Sequence, residues 1–254
     1  MPYCQINAKK VYYEAEGAGL GILFIHGAAF TRICWENQTF FLSKQYQVCT
    51  VDLPGHGRSE VILENVSINN YAKIISEVIK MLDMKNPVVC GHSMGGAIGL
   101  QLALDWPNQL GALVLVGSGA KLGVYPDILT TLRSNFREAI DLIYDNWAFS
   151  MKTDKDLIEV VKRHILEIKS HIAVADYEAC NAFDCRARLE ELQLPTLMIV
   201  GEEDKLTPVR YSEYLLKQIR GSTLEIIPEA GHYVMLEQPE QFNRALLSFL
   251  ERAF

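Results

Sequence analysis

Three residues far apart in the chain, Ser93, Asp204 and His232, stand in contexts that together could activate an oxygen nucleophile. Ser93 is the centre of Gly91-x-Ser93-x-Gly95, within PVVCGHSMGGAIGLQLAL at 87–104. A short apolar strand (Val88, Val89, Cys90) meets an apolar-periodic helix (Ile98, Leu100, Leu102, Leu104) across a turn from Gly91 to Gly95. A turn this sharp strains its central residue and leaves room only for very small side chains two positions away. Gly96 and Ala97 extend that requirement by letting the first helical turn pack close to neighbouring strands. The expected outcome is a serine hydroxyl projecting from the top of a sheet, with the Met94 amide aimed at the space beside it.

A serine hydroxyl attacks only when a base takes its proton, and the base needs a third group to fix its tautomer. Six histidines compete for that role. His164 and His171 fall in a helical stretch, where they read as solvent-exposed. His26 and His56 sit in tight turns beside glycine and suit structural hydrogen bonds. His92 adjoins Ser93, so its side chain should diverge from the nucleophile. His232 remains, in AGHYVMLE after the last strand, where Gly231 lets a loop bring the imidazole over the sheet. For the acid, GEEDKLTP offers Glu202, Glu203 and Asp204. Asp204 lies deepest in the turn, before Thr207 and Pro208 open the next helix, whereas the two glutamates read as facing solvent.

Periodicity names the elements that must position these groups. Residues 3–16 alternate and contain β-formers, with a turn expected at Asn7 to Lys9, so an antiparallel hairpin opens the fold. Continuous apolar runs at 21–25, 46–51, 112–117, 196–201 and 223–227 read as further strands. Helical patterns separate them at 35–42, 67–82, 93–104, 208–219 and 239–254. Strands alternating with helices imply right-handed crossovers, a mainly parallel sheet and a ligand site at the carboxyl ends of the strands. From 121 to 192 no strand-like run occurs. Helical patterns at 128–144, 154–170 and 171–183 read instead as a lid (cap) inserted between two pieces of a core domain, 1–120 and 193–254.

The bulk properties narrow the function classes. At 254 residues, 49% hydrophobic and 22% charged, the chain suits one large α/β domain or a core with an insertion. A formal charge of −7 argues against a nucleic-acid partner. MPYCQINAKK has no apolar leader region, and no apolar run approaches the ~18 residues of a membrane span, so a cytoplasmic protein is expected. The six cysteines form no CxxC pair and read as small buried hydrophobes, without a metal or redox role.

The order Ser93, Asp204, His232 and five motifs resemble the α/β-hydrolase fold superfamily, in its serine esterase, enol-lactonase and C–C hydrolase branch. The motifs are LFIHGAA (23–29), DLPGHGRS (52–59), GHSMGG (91–96), GEEDKLTP (201–208) and AGHYVMLEQPE (230–240). The resemblance covers essentially the whole chain and implies a mainly parallel eight-stranded sheet with the N-terminal hairpin and the helical lid. It also implies an oxyanion hole built from the backbone amides of Ala28 and Met94. Ala28 and Ala29 stand where many relatives carry a bulky side chain, which leaves more room near the acyl group. Serine at 93 argues against dehalogenase or epoxide-hydrolase chemistry, whose relatives use aspartate there. Tyr233 stands where the C–C hydrolases often have Trp.

In the insertion, Tyr125, Phe136, Tyr144, Trp147, Phe149, Met151, Tyr177 and Phe183 are expected mostly in the core between lid helices, with two or three lining the pocket. Ten Lys+Arg against twelve Asp+Glu over 121–190 give no strong field for an anionic substrate. Arg186 and Arg188 read as surface ion pairs rather than carboxylate ligands. The expectation is a serine hydrolase for small to medium apolar esters, needing no metal or organic cofactor and acting as a monomer or small homo-oligomer. Cleavage of a C–C bond, lactone or thioester, or ligand reception without turnover, are the alternatives.

Overall fold

The computed structural model describes residues 2–6, 8–61 and 66–254. Its strands are β1 (Tyr3–Ile6), β2 (Lys9–Glu16), β3 (Gly21–Ile25), β4 (Gln47–Val51), β5 (Val88–His92), β6 (Ala112–Val116), β7 (Thr196–Gly201) and β8 (Thr223–Ile227). They form one sheet in the order β1-β2-β4-β3-β5-β6-β7-β8. β1, β2 and β4 pair antiparallel in turn, and every other pairing is parallel. The mainly parallel sheet with its N-terminal antiparallel pair is therefore as the sequence implies. Asn7, in the expected hairpin turn, lies outside the described residues.

The parallel strands are apolar throughout because both faces are covered. Leu23 and Ile25 of β3 pack on one side with α2 (Ile68–Met81) and α3 (Met94–Asp105). Ile22 and Phe24 pack on the other with α1 (Glu36–Leu42) and Phe242 of the last helix. β8, at the sheet edge, is the exception, with Thr223, Glu225 and Ile226 exposed.

Four helices lie between β6 and β7: α4 (Pro126–Ser134), α5 (Phe136–Asn146), α6 (Lys155–Glu167) and α7 (Ser170–Ala182). The single helix expected at 128–144 is broken at Asn135, whose backbone leaves the helical region. Its side chain accepts the Glu138 amide and donates to the Glu138 carboxylate, a reciprocal cap that starts α5. The ends of this stretch are stitched together, since Lys121 bridges Asp184 and the Cys185 amide donates to the Ala120 carbonyl. Three further helices complete the chain: α8 (Val209–Gln218), the short α9 (Val234–Glu237), absent from the sequence reading, and α10 (Pro239–Ala253). Among the described residues no helix is long and apolar enough to cross a membrane.

The carboxyl ends of β3, β5, β6, β7 and β8 open on the same edge, and the closest approach there is between backbones. A Cβ at Gly95 would lie 2.3 Å from the Ile25 carbonyl oxygen of β3, which cannot move without breaking the sheet. Gly95→Ala is thus expected to lose about 2 kcal/mol or more, several degrees of melting temperature in a chain this size. Gly123→Ala, in open space, should stay within about 0.5 kcal/mol of wild type. Equal thermal melts for the two variants would contradict this account.

Candidate active site

Ser93 follows β5 directly and precedes α3, with φ 52° and ψ −113°. That left-handed strain is held from several directions. The Ser93 amide donates to Val116 O at 2.8 Å, and its carbonyl accepts from Gly96 N, Ala97 N and Ser118 Oγ at 3.0, 3.2 and 2.7 Å. The hydroxyl itself has no hydrogen-bond partner among the described residues, and Ser93 lines a cavity of about 630 Å³.

His232 reaches the same cavity on the loop after β8. Its amide donates to Ala148 O at 2.8 Å, and the amides of Gly231 and Tyr233 on either side both donate to the Glu237 carboxylate at 3.0 Å. Glu237 also accepts from Ser150 N and Thr153 Oγ1, yet burial still pushes its carboxyl above the ordinary value. His232 Nδ1 lies 2.9 Å from Asp204 Oδ2. The Asp204 carboxylate also accepts from Leu206 N, Thr207 N and Thr207 Oγ1 at 2.8–2.9 Å. Burial alone would raise this carboxyl, but the His232 ring and the Thr207 donors outweigh it and hold it below the usual range. A proton on Nδ1, donated to Asp204, leaves Nε2 as the basic nitrogen. No direct hydrogen bond joins Ser93 to His232 among the described residues; such contacts commonly tighten only with substrate bound. Glu203, one of the two rejected acids, accepts the Met151 amide at an exposed loop.

The remaining histidines are occupied otherwise. His26 donates from Nδ1 to Gly27 O at 2.8 Å and accepts the Leu53 amide at Nε2 at 3.0 Å; burial, with His56 beside it, drives its pKa to about 3. His92 does not stand apart from the site, since its ring lies 4.6 Å from that of His232 and its Nε2 donates to His232 O. Burial, with His232 beside it, lowers His92 to about 3. His171 is exposed, but His164 is half-buried with its ring edge-on to Phe30, a correction to its reading as a solvent residue.

One buried side chain escaped the sequence reading altogether. Asp176 of α7 is fully buried and accepts three side-chain or backbone donors from other elements. Its Oδ2 takes the Ala29 amide at 2.9 Å and His56 Nε2 at 2.8 Å, and its Oδ1 takes the Tyr71 hydroxyl at 2.8 Å. Both His56 nitrogens face oxygen acceptors, Asp176 and Pro54 O, an arrangement that favours the doubly protonated ring. Burial opposes that charge, but the Asp176 carboxylate and its hydrogen bond leave the His56 pKa raised. The clamp holds Ala29 at φ 53° immediately after Ala28. The amides of Ala28 and Met94 have no protein acceptor among the described residues, and Ala28 lines the cavity beside Ser93. The available signal was an aspartate between Ala173 and Cys180 on the apolar face of a helix.

The rest of the cavity wall is largely apolar, with Ile128, Ile143 and Trp147 among its side chains. Among the described residues, Asp127 and Lys205 are its only acidic and lysine side chains, and no arginine lines it. Four of the eight expected aromatic or Met positions, Tyr125, Tyr144, Trp147 and Tyr177, face it. Met151, expected in the core, is 93% exposed. Arg186 pairs with Asp184, and Arg188 with Asp105 and Glu191, as surface ion pairs.

A family model described as the alpha/beta hydrolase family matches residues 22–245. The chain is 30% identical over 251 residues to a 2-hydroxy-6-oxononadienedioate/2-hydroxy-6-oxononatrienedioate hydrolase of Escherichia coli O81 (strain ED1a), covering 91% of this chain and 87% of that protein. It is 28% identical over 239 residues to 3-oxoadipate enol-lactonase 1 of Acinetobacter baylyi, covering 91% and 88%. A solved thermophilic esterase superposes with TM-score 0.89 at 36% identity, covering 99% of this chain and 97% of that one.

Removing the Asp176 carboxylate orphans three buried donors at once. Asp176→Ala is expected to cost on the order of 3 kcal/mol of stability and to lower kcat of a hydrolase reaction at this site roughly tenfold or more with little change in KM. Asp176→Asn, which keeps an acceptor oxygen, should recover part of both; parallel losses in kcat and KM would contradict a positioning role. The His56 shift has its own sign. A folded pKa above the ordinary ~6.5 stabilises the protein fully below that value and ceases to do so as pH rises through the folded pKa. The stability difference between wild type and His56→Gln, measured by denaturant unfolding, should therefore be largest in mild acid and shrink toward alkaline pH.

Proposed function

The chain belongs to the alpha/beta hydrolase family, and from that premise we propose that it is a serine hydrolase cleaving carboxylic esters of small to medium apolar substrates. The observation that carries the reading is the 2.9 Å Asp204–His232 hydrogen bond, with both His232 and Ser93 lining one cavity. In this mechanism His232 Nε2 takes the proton of Ser93 Oγ as the oxygen attacks the acyl carbon. Asp204 stabilises the resulting imidazolium, and the Ala28 and Met94 amides receive the developing oxyanion, each worth about 3 kcal/mol in a dry site. His232 returns the proton to the departing alcohol, leaving an acyl-Ser93 ester. Water, activated by the same nitrogen, then releases the acid. No step calls on a metal or an organic cofactor.

The helices α4, α5 and α7 supply much of the apolar wall over the strand ends, and we read residues 121–192 as the lid. An uncharged substrate is favoured because, among the described residues, the wall holds no arginine and its one lysine, Lys205, is offset by Asp127. Opening a lactone uses the same steps, and the likeness to an enol-lactonase favours it as the second reading. The E. coli relative is named for a dienedioate substrate, whose two carboxylates this cavity is poorly equipped to hold.

The test is covalent labelling with a fluorophosphonate, with the adduct located by peptide mass, alongside turnover of an ester and lactone panel. Labelling is expected at Ser93, and Ser93→Ala should abolish it and reduce kcat by at least ~10³-fold. A Ser93→Ala variant with near-normal turnover, or folded wild type that neither labels nor turns over, would end the proposal.

A further inference from the structure

Beyond the reacting groups, the cavity contains an uncommon arrangement of phenols. Tyr144 of α5, Tyr177 of α7 and Tyr233, next to His232, all line it. The Tyr144 and Tyr233 hydroxyls share a hydrogen bond of 2.8 Å, and the Tyr177 hydroxyl neighbours that of Tyr144. Tyr144 and Tyr233 are 3% and 2% exposed, while Tyr177 is half-buried. The rings are held firmly: Tyr233 stacks on Phe149 and packs against Phe30 and His92.

Proton counting gives this chain of hydroxyls a direction toward a ligand. Three phenols carry three O–H donors. One is consumed in the Tyr144–Tyr233 bond and at most one more between Tyr177 and Tyr144. At least one of the three hydroxyls therefore keeps a proton for which no acceptor outside the trio exists among the described residues. A buried donor left unpaired is costly, so a ligand that accepts from it is selected over one that does not. The partner should be neutral, because among the described residues the cavity's acidic and lysine side chains, Asp127 and Lys205, are one of each sign and give no net field for a charged group.

We propose that the neighbouring phenols of Tyr177, Tyr144 and Tyr233 form a subsite for a second, uncharged oxygen acceptor on the substrate, a ketone carbonyl beyond the scissile one. The natural substrate class is then an oxo-substituted ester or lactone rather than a plain alkyl one. This rests on the hydrolase reading of Ser93. The Tyr144–Tyr233 hydrogen bond also joins α5, in the 121–192 stretch, to the loop that carries His232, so an occupied subsite would bear on both.

The experiment compares phenyl esters of 5-oxohexanoate and of hexanoate, which match in chain length, using wild type, Tyr177→Phe and Tyr233→Phe. Wild type should favour the oxo ester by roughly tenfold in kcat/KM, the size of one buried neutral hydrogen bond. In one of the two end variants, the one that supplies the free proton, that ratio should fall to near one. A purely structural effect would instead change both esters together and leave the ratio intact. Equal kcat/KM for the two esters in wild type, or a ratio that survives both variants, overturns the subsite while leaving the hydrolase reading standing. Turnover of neither ester, with no fluorophosphonate label at Ser93, overturns the hydrolase reading and the subsite with it.

Discussion

The architecture depends on a place where two backbones nearly touch. α3 leaves β5 so abruptly that Gly95 lies against the carbonyl oxygens of Ile25 and His26. This contact makes Ser93 adopt φ 52°, a cost of order 1–3 kcal/mol for a side-chain-bearing residue. The bonds from Val116, Ser118, Gly96 and Ala97 over-determine that conformation, so the strain persists as preorganisation. Once the serine is raised above the sheet edge, the parallel order of β3, β5, β6, β7 and β8 brings their carboxyl-terminal loops to it. Ala28, Ser93, Ser118, Asp204 and His232 all come from those loops.

A second constraint acts across that edge. The His56–Asp176 pair is buried on both sides, where desolvation offsets much of the Coulomb attraction, so little net stability follows from the pair itself. Its consequence is register. Asp176 belongs to α7, but its partners belong to the loop after β3, the loop after β4 and helix α2. The position of α7 and the left-handed turn at Ala29 are therefore one variable rather than two. A shift of that helix withdraws the acceptor from the Ala29 amide and frees the peptide next to Ala28.

The strands were legible because a strand covered on both faces can only be an unbroken apolar run, as at 21–25 and 112–116. The turn around Ser93 was legible because sterics allow so few residue types at 91, 95 and 96. What periodicity could not show was which element an apolar helix face meets. Asn135 fits a continuous helix by spacing, yet its side chain caps a new one. Asp176 and His164 sit in stretches that read as ordinary amphipathic helix, and their burial depends on α7 and α6 crossing particular loops. Met151 shows the converse: an apolar residue in a turn between helices has no face to bury. Within the site, the loops that carry Ala28, Ser93, Asp204 and His232 do converge on one edge, while the clamp that orders the first of them was invisible because it spans 147 positions of sequence.

Hydrogen-bond accounting separates the four histidines at this edge more sharply than proximity does. His26 has a donor role at one nitrogen and an acceptor role at the other, so it is a neutral strut whose tautomer is imposed by the Leu53 amide. His56 faces two acceptors, which favours its cationic form. His92 donates from Nε2 to the His232 carbonyl, and its Nδ1 is buried without a partner among the described residues, so neither nitrogen is both anchored by an acid and presented to Ser93. His232 alone combines an anchored Nδ1 with a ring lining the cavity. A base must hold one nitrogen fixed and present the other, and that requirement supports the assignment of His232 independently of motif order.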